Sequence, residues 1–135
     1  MTYSALIYTS RKVGTTPEQF RAHYESSHVP LVKEITGAHY PISHTRRYIQ
    51  RTAGKAEGTE RNANFPASVL IGTQADFEYD AIAELTFKDV GAFQTFFSIA
   101  QQPENAARIT ADEEKFLDRS MTTAVVVGET LITTR

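Results

Sequence analysis

The sequence contains no cysteine, and this absence removes several classes of site at once. Without cysteine the chain forms no disulfide, offers no thiol nucleophile and builds no cysteine-ligated zinc site, a composition that suits a reducing compartment. The glycine-rich loops that bind nucleotide phosphates and the G-x-S-x-G turn of serine hydrolases are missing too. We therefore expect that an enzyme with this sequence works without an organic cofactor.

Positive charge and long apolar runs are also scarce. The formal net charge is -2, from 14 Lys and Arg against 16 Asp and Glu, so the chain lacks the basic excess typical of nucleic-acid binding. No apolar run approaches the roughly 20 residues of a membrane span, and residues 1–8 lack the basic and apolar regions of a signal peptide. These features predict a cytoplasmic protein with neither nucleic acid nor membrane as a partner.

What the sequence does contain is enough for one folded domain. A chain of 135 residues matches the commonest domain size, and two complete cores would not fit within it. Its 41% hydrophobic and 22% charged residues lie close to ordinary globular usage. We expect a single domain over residues 1–135.

Four segments are predicted as β-strands from their β-branched content or their alternation. The clearest is 79–87, where small or apolar residues at odd positions alternate with a mixed set at even positions. The predicted strands are 3–9, 42–51, 79–87 and 121–131. Residues 52–64 have no apolar period and predict a loop, and 69–72 is expected to form a short edge segment.

Helix-start signals lie between these strands. Thr16 and Gln19 form a capping box, so a helix begins there, and Pro30 is expected to break it. Asp89 is expected to cap a second helix, over 89–102, and a capping box of Thr110 and Glu113 predicts a third, shorter one over 110–117.

The order strand, helix, strand, strand, helix, strand is that of the split βαβ arrangement, which places the helices on one face of a four-stranded antiparallel sheet. The mixed even positions of the strand at 79–87 indicate that the opposite face is covered as well. A second copy of the chain covers that face most simply, so we expect a homodimer.

One segment carries a family signature. Residues 20–31 read F-R-A-H-Y-E-S-S-H-V-P-L and resemble the F-x-x-H-Y-x-x-x-H-V-P-L signature of the EthD family. Three further stretches are similar to a fungal, polyketide-tailoring type of EthD protein: S-H-T-R-R-Y at 43–48, Y-D-A-I-A-E-L at 79–85 and D-E-E-K-F-L-D at 112–118. Together these segments span nearly the whole chain.

The resemblance implies an α+β, ferredoxin-like fold in which two copies form a dimeric α/β barrel. Proteins of this kind include polyketide cyclases, decarboxylases of aromatic polyketide acids, cofactor-free monooxygenases that make quinones, and members with an accessory role. The resemblance therefore narrows the fold more than the reaction.

The histidines are candidates for acid/base chemistry, because imidazole titrates near neutrality. His28 stands within the family signature, where it is either a catalytic group or a cap for helix carbonyls. His23 lies five positions before it, about 140° around an α-helix, and is expected at the surface or in packing. None of the histidine spacings matches a metal pair, so we predict no metal site.

The second and third predicted strands carry further candidates. His44, Arg46 and Tyr48 share one strand face, and form either a salt-bridged edge or a cavity wall that binds an acidic phenol or carboxylate. The even positions of the third strand are expected to face the same cavity. Asp80 is then either a carboxylate tuned for proton transfer or the ion-pair partner of Arg46 or Arg47.

Three more residues are predicted to contact an aromatic ligand in this cavity. Tyr8 and Tyr24 offer flat rings that carry a hydroxyl donor. Ile82 offers an apolar surface on the same strand face as Asp80. The predicted partner is a small aromatic molecule.

We predict a cofactor-independent enzyme that cyclises, dehydrates or decarboxylates an aromatic polyketide or phenolic substrate by acid/base catalysis. In this hypothesis His44 or His28 is the acid/base, Asp80 is the orienter or second base, and Arg46 with Tyr48 binds the anion and the phenol. Two alternatives stand beside it. One is a cofactor-free monooxygenase that forms a quinone, and the other is a non-catalytic small-molecule binding or accessory dimer.

Overall fold

The computed structural model describes residues 2–53 and 62–135 of the chain. The strands are β1 (Tyr3–Thr9), β2 (Ser43–Tyr48), β3 (Ala81–Phe87) and β4 (Thr123–Val126). The α-helices are α1 (Pro17–His23), α2 (Val29–Thr36), α3 (Val90–Gln101) and α4 (Pro103–Phe116), and a π turn, Tyr24–His28, joins α1 to α2. Most of the loop predicted at 52–64 lies outside the described residues.

The strands form one antiparallel sheet in the order β2-β3-β1-β4. β1 and β3 occupy the centre, with Ala5 opposite Leu85, and β2 and β4 lie at the edges. This order, together with the helices between β1 and β2 and between β3 and β4, is the split βαβ arrangement. The predicted α+β, ferredoxin-like fold is therefore confirmed. None of the helices within the described residues has the length and apolar character needed to cross a membrane.

The alternation predicted for β3 separates the two faces of the sheet. Its odd residues are buried, with Ala81 and Ala83 at 0% exposure and Phe87 at 1%. Leu85 and Phe87 pack against Phe96 of α3, so the helices cover this face, here called the inner face. Fully burying a side chain of this size stabilises the fold by about 1.5–3 kcal/mol. The opposite side of the sheet is called the outer face.

The first helix does not break at Pro30. Thr16 caps it as predicted, through the capping box with Gln19. At the π turn the Val29 N–H donates to the carbonyl of Tyr24, five residues back. Pro30 then lies in the first turn of α2, where the shift in hydrogen-bond register accommodates its missing N–H. The predicted break is wrong because the helix changes register instead of ending.

The second half of the chain differs from the prediction in three places. Pro103 begins α4, because proline fits the first helical position, where no N–H is needed. The separate helix predicted over 110–117 is therefore part of α4. The strand predicted over 121–131 is confined to the shorter β4, and the segment 69–72 is irregular, with Leu70 exposed.

Candidate active site

A largely apolar pocket of about 400 Å3 lies between the inner face of the sheet and the helices. Its volume falls within the usual range for small-molecule sites. Among the described residues that line it, none is Asp, Glu, Lys or Arg, so its ionisable lining groups are tyrosines and histidines. The lining includes Tyr24, His28, Tyr40, His44, Phe93 and Phe96.

The π turn brings two histidines to one carboxylate. His28 Nδ1 lies 3.0 Å from Oδ2 of Asp112 on α4, and His23 Nε2 lies 2.9 Å from Oδ1 of the same group. On a regular α-helix a spacing of five would separate the two side chains by about 140°, but the extra residue of a π turn closes that angle. His23 is thus partly buried against Asp112.

Asp112 is buried and accepts three hydrogen bonds. Besides the two histidine contacts, Ser27 Oγ donates to Oδ1 at 2.9 Å. Burial raises the pKa of Asp112, but the hydrogen bonds from Ser27, His28 and His23 outweigh it and hold the pKa below its ordinary value. The ionised carboxylate therefore accepts the Nδ1–H of His28. On the neutral imidazole this leaves Nε2 of His28 as an acceptor.

His44 lines the pocket from β2. Its Nδ1 shares a 2.8 Å hydrogen bond with the Tyr40 hydroxyl, while its Nε2 is buried with no partner among the described residues. Burial lowers the pKa of His44 to about 4, with Arg46 and His28 adding to the effect. Burial also raises the pKa of Tyr40. Both groups are therefore neutral near neutral pH. A single hydrogen lies between them, and either the Tyr40 hydroxyl or Nδ1 of His44 is its donor.

Tyr24 lies beside both pocket histidines. The centroid of its ring is 5.7 Å from that of His28 and 6.1 Å from that of His44. It is buried, and burial raises the pKa of its hydroxyl. The structure thus brings together three of the predicted site residues, Tyr24, His28 and His44.

Arg46 and Tyr48 contact Glu25 instead of the pocket. Arg46 Nε and Nη2 donate to the two oxygens of Glu25 at 2.6 and 2.8 Å, and Nη1 donates to the carbonyl of His44 at 2.8 Å. The Tyr48 hydroxyl donates to Glu25 as well. The hydrogen bond from Arg46 lowers the pKa of Glu25. Arg46 and Tyr48 do not line the pocket, so of the two alternatives for this strand face the salt-bridged edge fits these two residues.

Asp80 belongs to a buried ion-pair cluster outside the pocket. Its Oδ1 lies 2.7 Å from Nη1 of Arg11 and 2.7 Å from Nε of Arg51, and its exposure is 3%. The sequence predicted either a position in the cavity or a pair with Arg46 or Arg47, and in the structure Asp80 pairs with Arg11 and Arg51 instead. The reason is local: Asp80 precedes the first residue of β3, so the alternation of that strand does not set its direction.

Tyr8 and Ile82 lie opposite each other in the register of β1 and β3, on the outer face. The pocket is on the inner face, so neither residue lines it. The sequence predicted the cavity on the outer face, whereas this apolar pocket lies on the inner face. Alternation shows which residues share a face, but it does not show which face encloses a site.

Two residues of the site were missed in the sequence. Asp112 lies in the segment 112–118 that resembles the family, and this resemblance was the available signal. Tyr40 stands four residues before His44, and no motif marks it. Their positions depend on how α4 and the bend before β2 pack against the first helix.

The arrangement offers acid/base groups. Over residues 2–53 and 62–135 no three His, Asp or Glu side chains are grouped so that they could hold a metal ion. The two histidine nitrogens that face Asp112 contact different oxygens of the carboxylate.

Solved structures with this fold come from several organisms. An EthD family protein from Bacillus halodurans superposes with a TM-score of 0.56 at 16% identity, over 96% of this chain and 100% of that one. A protein from Arabidopsis thaliana gives a TM-score of 0.53 at 14% identity, over 98% and 99%. An EthD-like protein from Ralstonia eutropha gives 0.52 at 17% identity, over 93% and 87%. Identities this low show a shared fold alone.

The sequence itself carries the family assignment. No curated protein matches the chain. The family model of the EthD domain matches residues 12–120, a segment that includes His28, His44 and Asp112. Because this match covers most of the chain, the protein belongs to the EthD domain family.

Proposed function

We propose that the protein is a cofactor-independent enzyme that moves a proton to or from a small aromatic substrate in the pocket. The hydrogen bond between His28 and Asp112 carries this proposal. It fixes the imidazole with Nδ1 protonated and Nε2 as the base, in a residue that lines an apolar pocket. A positioned general base contributes about 10²–10⁴-fold to the rate of a proton transfer.

His44 supplies the complementary donor. When the Tyr40 hydroxyl donates to Nδ1 of His44, Nε2 carries the hydrogen, and this buried N–H has no partner among the described residues. Leaving such a group unpaired costs about 1–3 kcal/mol. A substrate oxygen that reaches this N–H through a small shift of the His44 ring and accepts its hydrogen bond recovers that free energy. The bond strengthens as negative charge develops on the oxygen.

A base and an oxyanion donor in one apolar pocket support reactions that pass through an enol or enolate. His28 removes a proton from a carbon next to a carbonyl, and the electron pair moves onto the oxygen that His44 binds. Cyclisation, dehydration and decarboxylation of aromatic polyketides all use intermediates of this kind. A lyase or cyclase is therefore the leading assignment.

A second function follows from the apolar lining, which suits dissolved dioxygen as well as an aromatic ring. In this case His28 deprotonates an electron-rich phenol, and the phenolate reduces dioxygen. One oxygen atom enters the ring to give the quinone, and the other leaves as water. The protein would then be a cofactor-free monooxygenase.

The test uses β-tetralone, a neutral aromatic ketone with an acidic methylene group next to its carbonyl. Chelator-treated protein in deuterium oxide should speed the exchange of these hydrogens above the rate in buffer, with and without oxygen, as followed by proton NMR. Exchange no faster than in buffer would contradict the proposal. Tight binding without exchange would assign the protein to the accessory, ligand-binding class.

The outer face of the sheet supports a homodimer. Leu6, Tyr8 and Ile82 place apolar side chains on this face, and α1 to α4 pack on the other side. A second copy that packs its own outer face against this one would cover these side chains and form the dimeric α/β barrel.

A further inference from the structure

We infer that the pocket binds neutral ligands and excludes carboxylates; this inference rests on the proposed function and names its substrate class. None of the described lining residues carries a fixed charge, and the lining is dominated by aliphatic and aromatic side chains. A carboxylate in such a place loses its hydration and meets no cation. That loss costs several kcal/mol for an unpaired ion, whereas a neutral isostere avoids it.

The guanidinium of Arg46, which contacts the backbone of the pocket residue His44, is already neutralised. All three nitrogens of the Arg46 guanidinium have partners, two of them the oxygens of Glu25 and one the carbonyl of His44. Lys33 is exposed, and its ammonium lies over the Tyr40 ring, 6.0 Å from the centroid. Neither cation lines the pocket, so neither offers an ion pair to a bound anion.

Asp112, the hydrogen-bond partner of His28, also opposes the binding of an anionic ligand. Asp112 is ionised and hydrogen-bonds to Nδ1 of His28, so a protonated His28 would form a neutral pair with it rather than a free cation. A carboxylate placed against Nε2 of the neutral imidazole would meet a lone pair instead of an N–H, with the negative charge of Asp112 on the other side of the ring. The two carboxylates would repel each other, and this repulsion is screened less in the poorly hydrated pocket than in water.

The polar groups that remain describe the ligand. Nε2 of His28 can accept a hydrogen bond, Nε2–H of His44 can donate one and the Tyr24 hydroxyl can do either, while Phe93, Phe96 and Ala100 form part of the apolar wall. The matching molecule is a neutral aromatic with a hydroxyl or carbonyl group at one end. This favours cyclisation or dehydration of a neutral substrate over decarboxylation, whose substrate is itself a carboxylate.

Three probes with the same ring system test the inference: β-naphthol, methyl β-naphthoate and β-naphthoate. Ligand fluorescence at neutral pH and low salt gives the dissociation constant of each for the full chain. We expect both neutral probes to bind at least about tenfold more tightly than β-naphthoate, a difference of about 1.4 kcal/mol or more. The inference is overturned if β-naphthoate binds as tightly as the neutral probes, or if no neutral probe binds.

Variants link the result to the pocket and separate it from catalysis. Ala100→Lys, and separately Val126→Lys at the more exposed rim, should raise the affinity for β-naphthoate. Neither substitution should raise the affinity for β-naphthol. If neither variant binds β-naphthoate more tightly than wild type, the probes bind elsewhere and the inference is overturned. His28→Gln should keep the preference for neutral probes. If wild-type protein shows the preference but does not exchange the hydrogens of β-tetralone, the proposed function fails and the ligand class stands.

Discussion

Nδ1 of His28 and Oδ2 of Asp112 lie 3.0 Å apart, across the contact between the π turn and α4. This single hydrogen bond connects a pocket residue to a buried carboxylate that is itself held by Ser27 and His23. The carboxylate does not line the pocket. Asp112 is therefore a positioning residue, which acts on the substrate through His28.

Asp112→Asn tests this positioning role. The amide offers one acceptor oxygen in place of two and no charge, so it no longer holds both histidines. We expect β-tetralone exchange to slow by about tenfold or more while the affinity for β-naphthol changes little. Glu113→Gln is the matched control, since Glu113 contacts Arg119 rather than a histidine. Equal exchange rates in wild type and Asp112→Asn would contradict the role.

The neutral state of His44 predicts a pH dependence of stability. Because burial lowers the pKa of His44 from 6.5 to about 4, the unfolded state binds more protons than the folded state between these values. Stability should therefore fall as the pH drops from 6.5 to 4, by up to about 3 kcal/mol from this group. Urea denaturation of wild type and His44→Gln across this range measures the difference. Parallel pH profiles would show that His44 titrates normally.

Asp80→Asn should destabilise the protein strongly. The substitution leaves Arg11 and Arg51, with side-chain exposures of 3% and 1%, without their shared carboxylate. Removing one partner of a buried ion pair costs about 3–5 kcal/mol. Glu25→Gln, which weakens the more exposed pair with Arg46, should cost about 1 kcal/mol or less. Chemical denaturation measures both, and similar small losses would contradict the buried-cluster assignment.

The alternation of β3 and the helix caps made most of the fold predictable. Thr16 and Asp89 both cap helices as expected, and the odd residues of β3 are buried as predicted. These features are local, so a short window of sequence contains the physical cause. Pro30 shows the limit, since the same residue is compatible with a helix end and with a change of helical register.

The site was less predictable because it depends on contacts between distant segments. His28 and His44 were identified from residue type and family resemblance, and both line the pocket. Asp112, 84 residues after His28, reaches it only through the packing of α4 on the π turn. The direction of Asp80 likewise depends on Arg11, 69 residues earlier. Neither contact can be predicted from the spacing of motif residues or from hydrophobic periodicity.

Light scattering at micromolar concentration tests the proposed homodimer. We expect about twice the 15.1 kDa of one chain, because stable dimers bury about 1,200–2,000 Å2 and a second copy would cover Leu6, Tyr8 and Ile82 on the outer face. Ile82→Lys places a charge on that face and should shift the mass toward one chain. Tyr3→Phe, in a ring that packs against Phe93, is the inner-side control. A wild-type mass of one chain would contradict the dimer.

The most direct measurement of the central claim compares β-tetralone exchange in His28→Gln and His23→Gln. Both histidines hydrogen-bond to Asp112, but only His28 lines the pocket. We predict that His28→Gln lowers the exchange rate by about 10²-fold or more, and that His23→Gln lowers it by less than about tenfold. An unchanged rate in His28→Gln, or an equal loss in both variants, would show that His28 is not the base.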